Sequence, residues 1–130
     1  MRASGLARPL LALLAVAAAR RWLDVVEVRG RSMSPALRPG DRLLVARARP
    51  RPGDVVLAAD PRDPRRELIK RVGRIDPAGL HLHGDNPAAS TDARTFGPVP
   101  AEAVVWRGLM RYWPPDRIGL IPAPDPDRRG

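Results

Sequence analysis

A serine set between an apolar run and a tight turn is where this sequence first offers chemistry. Gly30-Arg31-Ser32-Met33-Ser34-Pro35-Ala36-Leu37 follows Val25-Val26-Glu27-Val28 and precedes Arg38-Pro39-Gly40-Asp41. A Ser at such a junction can present its hydroxyl outward while its backbone N–H serves a developing oxyanion, and acyl transfer needs both in one place. The octapeptide alone also reads as a plain turn, because Ser and Pro are common in turns. The hydroxyl needs a base, and His81, His83 and Lys70 are the candidates. His81 and His83 alternate on one strand face with Asp85 nearby, formally a Ser–His–Asp set. Two such histidines could share a metal, but no third ligand of the right kind is evident. They read as exposed strand residues.

Lys70 has the better surroundings. Of 23 basic residues it is the single Lys, and the rest are Arg. Arg cannot give up its proton in a protein, whereas a buried Lys can. A lone Lys in an Arg-rich chain therefore invites reading as a proton acceptor; survival by chance is the plain alternative. Leu68 and Ile69 precede it and Val72 follows. Burial among them disfavours the ammonium and lowers its pKa. Arg71 would add to that effect if it pointed the same way. A third segment, Gly84-Asp85-Asn86 through Ser90, Asp92 and Arg94 to Phe96-Gly97-Pro98-Val99, is a loop by composition. It mixes hydroxyls with an Asp/Arg pair, which could hold a base and pin the loop.

These residues need strands to position them. Val25–Val28, Arg42–Ala46, Val55–Ala58, Leu68–Ile75, Gly79–His83 and Val104–Arg111 are short, largely apolar runs bounded by Pro and Gly, and such runs read as strands. Pro and Gly number 16 and 11 among 130 residues, which favours many turns over long helices. The length fits one domain, spanning residues 24–112. Residues 113–130 carry five prolines and little apolar content, and read as a disordered tail.

Residues 1–23 form a distinct segment. Arg2 and Arg8 precede the apolar run Leu10–Ala19, and Arg20-Arg21 close it. That run is shorter than the roughly 20 residues a membrane span needs. A secretory leader and an interfacial helix both fit; the second, a weak membrane anchor, is favoured. Any span would keep the following domain on the cytoplasmic side, since Arg20, Arg21, Arg29 and Arg31 follow the run. A cytoplasmic protein is the alternative.

The formal charge of +9 fits an anionic membrane surface or nucleic acid. The arginines are scattered, without the aromatic interleaving of single-strand binders, so a nucleic-acid partner is not expected. No cysteine is present, which excludes disulfides and thiol catalysis.

Taken together the segments resemble the type I signal peptidases. Ser32-Met33-x-Pro35 is similar to that family's nucleophile box, Gly40-Asp41-Arg42-Leu43-Leu44-Val45 and Gly53-Asp54-Val55-Val56 to the strands after it, and Ile69-Lys70-Arg71-Val72 to its Lys box. Gly84-Asp85-Asn86 with Ser90, Asp92, Arg94 and Phe96–Val99 resembles the last box. All fall in family order over residues 25–110. The resemblance implies a mainly β, antiparallel catalytic core with a short N-terminal helix. It implies a Ser–Lys endopeptidase with Ser32 as nucleophile and Lys70 as base. Ser90 would orient the Lys amine, Asp92 and Arg94 would form the loop pair, and Met33 would line the substrate pocket. Gly30 stands where some branches carry a hydroxyl residue that aids the oxyanion hole. No metal or cofactor is implied. The implied substrate is a precursor protein with small residues before the cut. The short form also resembles the nickel-type superoxide dismutase maturation proteases. A phage-repressor-like self-cleaving domain and a non-enzymatic basic binding module are the remaining readings.

Overall fold

Arg38-Pro39-Gly40-Asp41 and Arg51-Pro52-Gly53-Asp54 fold alike. In the computed structural model, which describes residues 4–89 and 97–124, each Asp N–H returns to its Arg carbonyl at 3.0 Å. Each Asp carboxylate in turn accepts the Arg N–H, at 2.9 and 2.8 Å. Gly40 and Gly53 have φ of +93° and +90°, the left-handed value that the third position of a type II turn requires, with Pro preset at the second. Each turn launches a strand.

A helix, α1 (Ser4–Trp22), runs directly into β1 (Leu23–Glu27). The strands that follow are β2 (Arg42–Arg47), β3 (Val55–Asp60), β4 (Asp63–Asp76), β5 (Gly79–His83), β6 (Trp106–Trp113) and β7 (Gly119–Leu120). They form one antiparallel sheet in the order β1-β2-β6-β3-β4-β5, with β7 also pairing β6. The mainly β core with an N-terminal helix is the architecture expected.

β3 is buried on both faces, which is why its sequence is a continuous apolar run and not an alternation. Val55 and Leu57 join a core cluster with Val28, Met33, Leu37, Leu43 and Val45. Val56 and Ala58 join a second one with Val72, Leu80, Leu82, Val99 and Val104. β4 starts at Asp63, five residues before the expected Leu68, because its charged first half pairs β3 as a hairpin. Only its second half, from Arg71 onward, pairs β5.

The expected disordered tail differs from the structure over the described residues. Pro115–Arg117 forms a 3-10 turn, Gly119–Leu120 pairs β6 at Met110 and Arg111, and Ile121 packs against the first core cluster. Backbone pairing, one apolar residue and side-chain bonds from Arg71 and Arg111 dock this Pro-rich chain.

α1 is exposed along its length, with Leu6, Leu10, Leu11, Leu13, Leu14 and Val16 all more than half accessible. Among the described residues no helix is long and apolar enough to cross a membrane. Beside it, the register brings Val25, Leu44, Met110 and Leu120 into one row across β1, β2, β6 and β7. None of the four is buried.

Candidate active site

Ser32 sits on a loop tied at its neck. The Val28 N–H donates to the Asp41 carbonyl at 2.8 Å, and the Gly40 N–H donates to the Val28 carbonyl at 2.8 Å. Within the loop, the Ser34 N–H returns to Arg31 at 3.1 Å and the Leu37 N–H to Met33 at 2.9 Å. Met33 and Leu37 are pegged into the core at 1% and 0% exposure. Two buried pegs and a closed neck leave Ser32 half-buried at the surface between them.

Lys70 lies on β4 opposite Val56. Its side chain shares a face with Leu68 and Val72, as strand alternation requires. Only 3% of it is accessible.

Both residues line one groove of about 840 Å³. One wall is β1 and the start of the Ser32 loop, Val25 to Met33, including Gly30; the other is the first half of β4, through Leu68, Ile69 and Lys70. The structure thus brings Ser32, Lys70, Gly30 and Met33 together. An added Cβ at Gly30 would meet nothing within 4 Å, so no steric demand keeps glycine there. Ser90, Asp92 and Arg94 lie outside the described residues.

Arg71 points away from Lys70. Its Nε and Nη2 donate to the Asp85 carboxylate at 2.9 and 2.8 Å, and its Nη1 to the Gly53 carbonyl at 2.8 Å. The charge repulsion considered from the sequence is therefore absent: strand alternation puts Arg71 on the other face, where a carboxylate neutralises it. The same pairing takes Asp85 out of any Ser–His–Asp set. His81 and His83 do not line the groove, and they are half-buried, not exposed as expected. His81 Nε2 bonds Asp76 at 2.8 Å. Burial works to raise the Asp76 carboxyl, but the bonds from His81 and the Ala78 N–H outweigh it and hold it below its ordinary value. No cluster of three or more metal-ligating side chains occurs among the described residues.

Asn86 carried no role from sequence, yet it grips the Ser32 loop. Its N–H donates to the Ser32 carbonyl at 2.8 Å and its Nδ2 to the Arg31 carbonyl at 3.1 Å. Its place in the Gly84-Asp85-Asn86 segment was the available sign.

The family model described as "Signal peptidase, peptidase S26" matches residues 2–79. The chain belongs to this family. A mitochondrial ATP-independent inner membrane protease subunit 1a of Arabidopsis thaliana is 34% identical over 78% of this chain and 77% of its own. A mitochondrial inner membrane protease subunit 2 of Danio rerio is 31% identical over 84% of this chain and 75% of its own. The corresponding subunit 2 of Saccharomyces cerevisiae is 28% identical over 75% of this chain and 72% of its own. This peptidase S26 member is thus a peptidase by family. The matches bear on signal peptidases as a whole and not on the nickel superoxide dismutase branch.

Proposed function

We propose that this peptidase is a serine endopeptidase that removes N-terminal leader or signal peptides from precursor proteins through Ser32 and Lys70. The observation that carries the proposal is that the chain's only lysine is buried in the groove that Ser32 also lines. A buried amine tends toward its neutral form and can then take a proton.

The reaction is acyl transfer. Ser32 Oγ attacks the substrate carbonyl carbon as its proton passes to Lys70 Nζ. Backbone N–H groups stabilise the oxyanion. The C–N bond breaks as Nζ protonates the leaving amine, leaving an ester on Ser32. Water then attacks the ester, giving a proton to Nζ, and the Ser32 hydroxyl is restored. Ser90 orients the amine in this scheme, and Asp92 and Arg94 hold its loop, roles that rest on the family resemblance. So does the preference for small residues before the cut.

The groove walls support strand addition as the binding mode. β1 pairs only β2, and residues 63–69 of β4 pair only β3, among the described strands. Both leave a backbone edge open to an extended peptide. Membrane association is proposed through α1, with Trp22 64% exposed beside Arg20 and Arg21, aided by the apolar row from Val25 to Leu120.

Incubating the purified full chain with a leader-bearing precursor, followed by mass spectrometry, tests the reading. One cut after a small residue is expected, and none with Ser32→Ala. Cutting by Ser32→Ala at the normal rate overturns it, and binding without cutting by the unaltered chain favours the basic binding module.

A further inference from the structure

The segment after β6 lies beyond the residues that the family model matches, and the dyad chemistry gives it no part. It nevertheless touches the neck of the Ser32 loop at one end and Arg71, the residue after Lys70, at the other. At one end Arg117 Nη1 donates to Asp41 Oδ1 at 2.7 Å, and the Arg117 carbonyl accepts from Arg111 Nε at 2.6 Å. The same Arg111 donates through Nη1 to the Ala36 carbonyl at 2.9 Å, inside the loop, and to Asp41 Oδ2 at 3.3 Å. Asp41 is buried, and its carbonyl closes the loop neck.

At the other end Ile121 lies over Gly108, where an added Cβ would come within 2.6 Å of its Cδ1. The next carbonyl, that of Pro122, accepts from Arg71 Nη2 at 3.0 Å. Arg71 holds Asp85, and Asn86 after it holds the Ser32 carbonyl.

We propose that residues 115–124 form a positioning strap that sets Ser32 against Lys70, acting through Arg111 on the loop and through Arg71 on the dyad. The proposal rests on Ser32 and Lys70 being the catalytic pair. Arg71 directly follows Lys70, so whatever fixes Arg71 fixes the backbone that carries the base. With the segment in place the Arg71 side chain is only 2% accessible. Loss of residues 121–124 removes the Pro122 acceptor and opens that side of the guanidinium to water, so Arg71 keeps its Asp85 and Gly53 bonds but loses the contact that fixes it from the strap. The looser hold on Arg71 passes through Asp85 and Asn86 to Ser32. A misplacement of about 1 Å can cost a rate about a hundredfold.

The test compares the full chain with a chain ending at Leu120 and with Ile121→Ala, which keeps the Pro122 carbonyl but loosens its anchor. kcat and KM are measured on a leader-peptide substrate, with circular dichroism and thermal melting as fold controls. The shortened chain should lose about ten- to a hundredfold in kcat with KM within about twofold, and Ile121→Ala should lose less in the same direction. Combined with Asp85→Asn, the truncation should add little, because both act through Arg71. Full kcat in the shortened chain, a change confined to KM, or losses that multiply with Asp85→Asn would each overturn the strap. If the shortened chain does not fold, Ile121→Ala decides, and unchanged kcat there refutes it. Failure of the dyad reading is distinct: Ser32→Ala would then keep the activity of the full chain.

Discussion

Replacing Lys70 by Arg isolates the proposed base from everything else the side chain does. Arg keeps the positive charge and the long apolar stem, but it stays protonated at any pH a protein survives. A general base contributes about 10²–10⁴-fold to a rate, or about 3–5 kcal/mol of barrier, so activity should fall by at least a hundredfold. The fold is a separate matter. The side chain sits at 3% exposure against Val56 and between Leu68 and Val72, and a bulkier head there overpacks the site at a cost of about 1–3 kcal/mol. Lys70→Met, close in volume and neutral, serves as the companion variant that relieves the charge and also lacks a base. Initial rates on a leader peptide should be near background for both, with circular dichroism spectra like that of the unaltered chain. The unaltered enzyme's kcat/KM should rise with pH as the amine loses its proton, and neither variant should show that rise. Activity of either folded variant within tenfold of the original would refute Lys70 as the base.

Three further outcomes are expected. His81→Ala with His83→Ala should keep its rate, since neither histidine lines the groove; inactivity with an intact fold, seen by circular dichroism, would reinstate a histidine base. Deleting residues 1–22 should move the protein to the soluble fraction on cell fractionation while cleavage of a soluble peptide persists, and retention on membranes would contradict anchoring through α1. The side-chain bond from Arg62 holds the Asp60 carboxyl below its ordinary value, so its stabilisation is present above the unfolded carboxylate pKa of about 3.9 and is lost as pH falls through the folded value. Melting temperatures from pH 2 to pH 6 should therefore fall less steeply on acidification in Asp60→Asn, and equal slopes would remove Asp60 from acid unfolding.

The parts of the fold that were legible are those where a local rule fixes the backbone. Pro-Gly-Asp dictates its turn wherever it occurs, and the all-apolar Val55–Ala58 run marks a strand covered on both faces. Ser32 and Lys70 stood out by setting and by rarity. What stayed hidden depends on partners far along the chain. Proline content made residues 113–124 look unstructured, yet a proline lacks only the donor; the Pro122 carbonyl is free to accept, and a buried Arg71 makes use of it. The charged start of β4 carries no strand signature because one of its edges faces the groove. Half-burial of the histidines follows from Leu80 and Leu82 packing inward and from Asp76 five residues away.

β4 changes partner at one point. Along the edge that β5 uses, pairing begins with Arg71 opposite His83, immediately after Lys70. A peptide laid on that edge can advance only until β5 occupies it, so the sheet itself supplies an end stop beside Lys70. Side chains of an extended peptide alternate, and a slip of one residue would turn each of them to the opposite face. The place of the cut in the proposed reaction is then measured as a ruler measures, by distance from a fixed end. Lengthening β5 by two residues toward Glu67 would move the stop, and with it the residue after which the precursor is cut.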